Sequence, residues 1–290
     1  MIISRITSGL GNQLFQYATG RHLALKNKAA LYLDLSYYLY EYSDDTVRPF
    51  KLDHFTVPYR LLQKSPMEYV SKATKLLPNR SLPPVVRFLK EKHFHFDQSI
   101  LDARAACIIL EGFWQSEAYF RDDADTIRQE LTLAGVPSPE FSHYQQQIRN
   151  TATPVSIHIR RGDYVNHPEF SKTFGFVGLD YYKQALQQLN EHFDQTQLYV
   201  FSDDHAWVHE NLTLPDNTVF VQNTGPNGDV ADLVLMSYCR HHIIANSSFS
   251  WWGAWLNPHS DKLVITPRKW YKQQPTWNTK DLLPSAWLAL

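Results

Sequence analysis

Val155-Ser-Ile-His-Ile-Arg-Arg-Gly-Asp-Tyr164 is the stretch on which the fold reading turns. Its first half is apolar and β-branched, and a strand's period of two puts Ser156, His158 and Arg160 on one side and Val155, Ile157 and Ile159 on the other. Arg161, Gly162 and Asp163 then fall at the strand's end. Outward from it, similar runs recur at 2–6, 29–33, 106–110, 198–201, 218–221, 242–245 and 263–266. Helical patterns at 12–26, 117–134, 179–193, 231–240 and 249–256 separate them. The alternation predicts a parallel α/β fold. In such a sheet ligands gather beyond the carboxyl ends of the strands, where the arginine pair lies. A guanidinium there grips phosphate through two parallel hydrogen bonds and keeps its charge at any working pH. The structural alternative is a local ion-pair turn of Arg160, Arg161 and Asp163 that closes the strand, and the segment alone leaves both open.

Ser247-Ser-Phe-Ser-Trp-Trp-Gly-Ala-Trp-Leu256 follows a strand-like run and opens a helix. Free amides at that start, beside the hydroxyls of Ser247, Ser248 and Ser250, suit an anion; ordinary capping with tryptophan packing is the plainer account. Ser8-Gly-Leu-Gly-Asn-Gln-Leu14 follows the first strand and, with Asp34 ending the next, looks like a dinucleotide fingerprint. Leu14, however, stands where the third glycine belongs. Asn12 and Gln13 bring side-chain amides suited to a sugar or phosphate, against the alternative of a tight turn capped by Asn12. Phe201-Ser-Asp-Asp204 ends a strand with two carboxylates, which either read a guanine edge or cap the next helix. Glu111-Gly-Phe-Trp-Gln-Ser-Glu117 holds the makings of a sugar subsite, or a core tryptophan beside a cap. Cys239-Arg-His-His242 is set aside as a metal site, since neighbours entering a strand point opposite ways and no second pair stands at ligand spacing.

The bulk composition narrows the partners. Lys+Arg 28 against Asp+Glu 29 leaves a net charge of -1 over 290 residues, so no overall field favours nucleic acid. Two distant cysteines, Cys107 and Cys239, fit a reducing compartment, and a cytoplasmic location is the expectation. The first residues enter a strand pattern with no signal-like leader, and no run of about 18 apolar residues is present. The polar, proline-containing stretch from Gly135 to Pro154 sets an expected domain junction near residue 150. Arg60 to His95 is dense in Lys and Arg and interrupted by proline. It reads as an irregular solvated excursion or, alternatively, as a peripheral contact with anionic lipid at the inner face of the cell membrane.

Taken together, Gly9-Leu-Gly-Asn-Gln-Leu-Phe-Gln-Tyr17, His158-Ile-Arg-Arg-Gly-Asp163 and Asp232-Leu-Val-Leu-Met-Ser237 running on to Ala245-Asn-Ser-Ser-Phe-Ser-Trp-Trp-Gly-Ala254 resemble the α-1,2-fucosyltransferase family of bacteria and animals. Gly112-Phe-Trp-Gln-Ser116 and Phe201-Ser-Asp-Asp204 extend the resemblance over most of the chain. It implies a GT-B-like α/β fold of two Rossmann-type domains facing a cleft, with 1–150 on the acceptor side and 151–290 binding GDP-fucose. The implied reaction is inverting, metal-independent transfer of L-fucose from GDP-fucose to the 2-hydroxyl of a terminal β-galactoside such as lactose or a bacterial surface glycan. No cofactor beyond the donor is implied.

The resemblance also assigns residues. Arg160 would face the β-phosphate and His158 the nucleotide. Gly11, Asn12 and Gln13 would approach the phosphates and the transferred sugar from the opposite domain. Asn246, Ser247, Ser248, Phe249 and Ser250 would complete the phosphate cradle, and Asp203 or Asp204 would read guanine. Asp163 is a candidate base or an orienter of arginine, and the acceptor proton has the further route of leaving late, to phosphate or water. Two other classes remain: an NAD-dependent oxidoreductase, from Gly9 and Gly11, and a non-catalytic glycan-binding protein, from eight Trp and sixteen Tyr.

Overall fold

Runs of β-branched residues each followed by a helix favour parallel pairing, because the helix carries the chain back along a sheet face. The computed structural model, which describes residues 1–40, 48–62, 86–272 and 277–290, contains two such sheets. In the first, β1 (Ile2–Arg5), α1 (Leu10–Lys26), β2 (Leu31–Asp34), β3 (Arg60–Leu61), β4 (Val86–Lys90), α2 (Gln98–Leu101), β5 (Cys107–Glu111) and α3 (Ala124–Glu130) follow one another. The strands lie in the order β3-β2-β1-β5-β4, all parallel. Met1–Ala134 and Trp277–Pro284 make up this compact unit.

The second unit comprises Gly135–Thr276 and Ser285–Leu290. Its elements are α4 (Pro139–Asn150), β6 (Pro154–Ile159), α5 (Gly162–Asn166), α6 (Pro168–Thr173), α7 (Leu179–His192), β7 (Gln197–Ser202), α8 (His205–Asn211), β8 (Val219–Phe220), α9 (Gly228–Tyr238), β9 (His241–Ile243), α10 (Ser248–Leu256), β10 (Val264–Thr266) and β11 (Leu288–Ala289). The sheet order β11-β10-β9-β6-β7-β8 puts β6 between β7 and β9, with Ile157 in register with Val200 on one side and Ile243 on the other. Two parallel α/β sheets are thus present, as the alternating pattern predicts.

Both faces of β6 are buried, and its alternation sorts them by chemistry. Val155, Ile157 and Ile159 pack into a core with Tyr182, Leu189, Leu198 and Val200. On the other face Ser156 Oγ lies 2.8 Å from His242 Nδ1, and Asn257 Nδ2 lies 2.8 Å from His242 Nε2. Since the amide donates to Nε2, Nδ1 carries the proton and donates to Ser156. Burial holds the His242 pKa well below the imidazole value, so the ring stays neutral in this chain of bonds. His241 Nδ1 accepts from the Leu263 amide at 3.0 Å. The Cys-Arg-His-His run therefore serves the sheet. Among the described residues no group of three or more His, Cys, Asp or Glu is placed to hold a metal ion.

Three segments differ from the sequence expectation. The predicted helix over 117–134 is broken into 3-10 turns at Glu117–Tyr119 and Arg121–Asp123 before α3, because Phe120, at φ -146, turns its fully buried ring toward Phe15 instead of continuing the helix. The polar stretch 135–154 contains α4, capped by Ser138 Oγ, which accepts from the Phe141 amide at 3.1 Å. Only Phe141 and Ile148 of α4 are buried, too few to show a helical period in the sequence. The basic segment 60–95, read as solvated or as touching lipid, contains β3 and β4, and its residues 63–85 lie outside the described residues. Among the described residues no helix is long and apolar enough to cross a membrane.

Ile157 is fully buried at the centre of the second sheet. Ile157→Ala is expected to destabilise that unit by about 2–5 kcal/mol through lost burial and the cavity left behind. Urea unfolding would show it as a lower midpoint; a change under about 0.5 kcal/mol, the range of a surface substitution, would contradict the packing described.

Candidate active site at the strand ends

In the second unit, the ends of three adjacent strands meet: β6 runs into Arg160–Asp163, β7 into Asp203–Asp204, and β9 into Asn246–Ser250. Arg160 Nη1 lies 2.6 Å from Asp203 Oδ2 and its Nη2 3.3 Å from Asp163 Oδ2. The Arg161 amide donates to Asp203 Oδ1 at 2.9 Å. Its guanidinium lies 3.1 Å from Asp204 Oδ2 and 3.7 Å from the Trp207 ring centre. Asp204 also caps α8, accepting from the Trp207 amide at 3.2 Å. Gly162 makes the close approach possible, since a Cβ there would sit 2.5 Å from Asp203 Oδ2.

The ion-pair turn read from the sequence thus exists, but it spans two strand ends rather than one. Two guanidinium groups face three carboxylates, so the cluster carries a formal charge of one negative before any ligand arrives. Each of these side chains is roughly a sixth to a third exposed, and pairs so placed contribute at most about 1 kcal/mol each. Their effect is geometric: two carboxylates fix the Arg160 fork, and a guanidinium with five N–H donors retains others for an anion.

His158 lies on the same strand, 5% exposed, its ring 5.5 Å from that of Phe249. Burial pushes its pKa down to about 3 against the pull of Asp203, with Arg160 adding to the fall. Its Nδ1 is buried and has no hydrogen-bond partner among the described residues. Tyr182 Oη holds the strand end by donating to the His158 carbonyl at 3.0 Å. Asn246 ties three segments together, its Nδ2 facing the carbonyls of Phe174, Gly175 and Trp270 at 3.0–3.2 Å, while its Oδ1 is buried without a partner. Ser247 Oγ caps α10 at the Phe249 amide, 3.4 Å away. Ser250 is fully buried and turns back to the carbonyls of Ala245 and Ser247. Ser248 is half-buried in the first turn of α10, and Trp251, Trp252 and Trp255 of the same helix are core.

In the first unit, Ser8 precedes α1 with a left-handed φ of 63°, and Trp114 after β5 has φ 58°. Gln13 is buried, and its amide is used within the unit: Nε2 donates to the Ser8 and Pro49 carbonyls, each at 2.9 Å, and Oε1 accepts from the Lys51 amide at 3.0 Å. Gln16 Nε2 joins Thr7 Oγ1 to the Gly112 carbonyl. Gly11 is buried and Asn12 half-buried, with Asn12 Oδ1 accepting from Gln115 Nε2 at 2.8 Å. Glu91 accepts from the Phe113 and Trp114 amides at 2.7 and 3.1 Å, and burial raises its pKa despite those bonds. Trp114 is a core residue, 1% exposed.

One group that the sequence marked without assigning a role is Asp232, on α9. Its carboxylate accepts from Asn223 Nδ2 at 2.6 Å. Burial pushes its pKa up to about 7; the amide opposes this and the charge of Asp229 adds to it. The signal in the sequence is a lone carboxylate in the otherwise apolar run Val230-Ala-Asp-Leu-Val-Leu235.

Two Rossmann-type α/β units with charged strand ends define a glycosyltransferase fold of the GT-B kind, and solved structures share it. The fucosyltransferase NodZ from Bradyrhizobium matches with a TM-score of 0.53 at 14% identity, over 87% of this chain and 91% of that one. A mutant of Arabidopsis thaliana FUT1 in complex with GDP matches at 0.52 and 12%, over 93% and 71%. The model of glycosyl transferase family 11 matches residues 1–289, and the chain belongs to that family. An Escherichia coli alpha-1,2-colitosyltransferase is 32% identical over 300 residues, 100% of this chain and 99% of its own. Human galactoside alpha-(1,2)-fucosyltransferase 1 is 28% identical over 173 residues, 57% of this chain and 47% of its own. The dinucleotide reading of Gly9 and Gly11 gives way to this membership.

Because the folded-state pKa of Asp232 lies above its ordinary 3.8, the folded protein prefers the protonated form. Stability is therefore lost as pH rises from about 4 to about 7 and is level above, by on the order of 4 kcal/mol if burial is fully felt. Asp232→Asn is expected to gain on the wild type between pH 5 and pH 8 in urea midpoint; equal pH dependence of the two proteins would refute the assignment.

Proposed function

We propose that this chain transfers L-fucose from GDP-fucose to the 2-hydroxyl of a terminal β-galactoside, lactose or a surface glycan, with inversion and without a metal ion. The observation that carries the reading is Arg160, held by two carboxylates at the end of the central strand in a family 11 glycosyltransferase chain. As the bond from fucose C1 to the β-phosphate oxygen breaks, charge builds on GDP, and fixed donors aimed there lower the barrier. Arg160 supplies the cation, and Ser248 with the start of α10 supplies neutral donors. Asn12 donates through its side-chain amide to the donor substrate, Gly11 allows the close turn, and Gln13 fixes that turn. His158, neutral throughout the working range, forms a wall beside the nucleotide with Phe249.

Asp163 orients Arg160, and Asp203 and Asp204 serve first as braces for the two arginines rather than as readers of the base. Among the described residues no carboxylate is marked as the acceptor's base, and the route proposed for the proton is late departure, to the leaving phosphate or to water. A second donor is favoured by the whole-length similarity to the colitosyltransferase: GDP-colitose, whose sugar is the 3-deoxy counterpart of L-fucose. Cys107 and Cys239 are both free, as the proposed cytoplasmic setting allows.

Mass-spectrometric assay of GDP-fucose and GDP-colitose against lactose and a panel of galactosides tests the reading. Fucosyl-lactose is the expected product, and exclusive use of the colitosyl donor would overturn the donor assignment. Arg160→Ala should lower kcat by about 100-fold or more, equivalent to about 2.7 kcal/mol or more of transition-state stabilisation, with the melting temperature little changed. A kcat within a few-fold of wild type would remove Arg160 from the leaving group. Treatment with EDTA should leave the rate unchanged, whereas a requirement for added Mn²⁺ or Mg²⁺ would end the metal-free account.

A further inference from the structure

An asparagine amide is nearly symmetric in shape but opposite in chemistry at its two ends, so its orientation has to be set by a neighbour. For Asn12 that neighbour is Gln115, whose Nε2 donates to Asn12 Oδ1 at 2.8 Å. With Oδ1 engaged, the Nδ2 hydrogens are left without a protein partner among the described residues. Gln115 is itself fixed, 7% exposed, on the turn that follows β5.

That turn is held from several sides. Glu91 binds the amides of Phe113 and Trp114, Gln16 binds the Gly112 carbonyl, and a Cβ on Gly112 would collide with Glu91. Trp114 keeps its left-handed conformation immediately before Gln115. A non-glycine residue in that region costs on the order of 1–3 kcal/mol and persists where its surroundings over-determine it. Burial of Trp114 and the two amides on Glu91 are those surroundings. Ser8 has the same kind of backbone ahead of α1, held by Gln13 through its carbonyl. Adjacent strands β1 and β5 thus each end in a strained, pinned turn, and one side-chain bond joins Asn12 to the second.

We infer that Gln115 is a positioning residue that fixes Asn12 with its N–H donors presented to the anionic leaving group or to the transferred sugar. The inference rests on the role proposed for Asn12 and extends it to a residue 103 positions away. The bond transfers no proton. Its action is to select one of two amide orientations: with Oδ1 turned outward, Asn12 would present an acceptor to a phosphate oxygen and repel it.

A double-mutant cycle on the full chain tests this, with kcat, KM and GDP affinity read for wild type, Asn12→Ala, Gln115→Ala and the double variant, and melting temperatures alongside. Gln115→Ala is expected to lower kcat by about 10- to 100-fold, the scale of a small misplacement of a reacting group. In the Asn12→Ala background the same change should cost less than about twofold. Gln115→Glu, close in shape, provides a second readout should the alanine variant fail to fold. Its carboxylate only accepts, so Asn12 turns its Nδ2 inward and kcat falls. As pH is lowered and the introduced carboxyl takes up a proton, it donates again and kcat should recover relative to wild type. Additive losses in the cycle, full activity of Gln115→Ala, or a Gln115→Glu deficit that does not depend on pH would each overturn the inference. A wild type that transfers no sugar from either GDP-linked donor would overturn the proposed function and this inference with it; an active wild type with additive losses would overturn this inference alone.

Discussion

The carboxylate of Asp203 accepts from the Arg160 guanidinium with one oxygen and from the Arg161 backbone with the other, and the second unit's strand ends are arranged around that double contact. Asp203 lies just past β7 and the arginines just past β6, so the contact exists only because these strands are paired in parallel and end together. It draws the β6 turn so close that residue 162 has no room for a side chain. It also sends Arg161 outward, onto Trp207 and Asp204. A partly exposed network of this kind adds little to stability. Its consequence is that a cation stands at the strand end with two of its directions already fixed.

The same edges hold groups that work against folding. His158 is buried with an unpartnered nitrogen, Asp232 is buried where ionisation is costly near neutral pH, and Ser8 and Trp114 adopt backbone conformations that non-glycine residues avoid. His158 lies near the end of β6, Ser8 and Trp114 lie in the turns after β1 and β5, and Asp232 lies in α9, and none is in the apolar face of β6. The cores of the two sheets offset these costs, with Val155, Ile157 and Ile159 alone burying enough to supply about 1.5–3 kcal/mol each. Unfavourable groups gathered at one edge of each sheet, beside well-packed strands, are the distribution expected of a site rather than of random imperfection.

Periodicity made the strands legible. A run such as Val155-Ser-Ile-His-Ile159 carries its face assignment in its alternation, and the structure places Ile157 in the core and Ser156 on His242 accordingly. Helices with a thin apolar stripe were not legible: α4 buries only Phe141 and Ile148, and the turns before α3 follow from the placement of one ring, Phe120. Side-chain partnerships across strands were also beyond reach. Arg161 and Asp203 are 42 residues apart and Asn12 and Gln115 are 103 apart, and no local spacing encodes either pair. The acids of Phe201-Ser-Asp-Asp204 look free in the sequence because the register that pairs them with arginines is a property of the sheet.

The two units solve the problem of holding polar groups in different ways. The second uses charge, with arginines set by carboxylates. The first uses neutral amides: Gln13 and Gln16 tie the turn after β1 to backbone carbonyls and a hydroxyl, and Gln115 on the turn after β5 holds Asn12. Amide bonds do not titrate and are screened little by salt, so the orientation of Asn12 is insensitive to conditions that alter the arginine cluster. In the proposed reaction the sugar gains positive character as charge forms on the leaving group, so a neutral amide such as that of Asn12 suits it where a second cation would oppose the reaction.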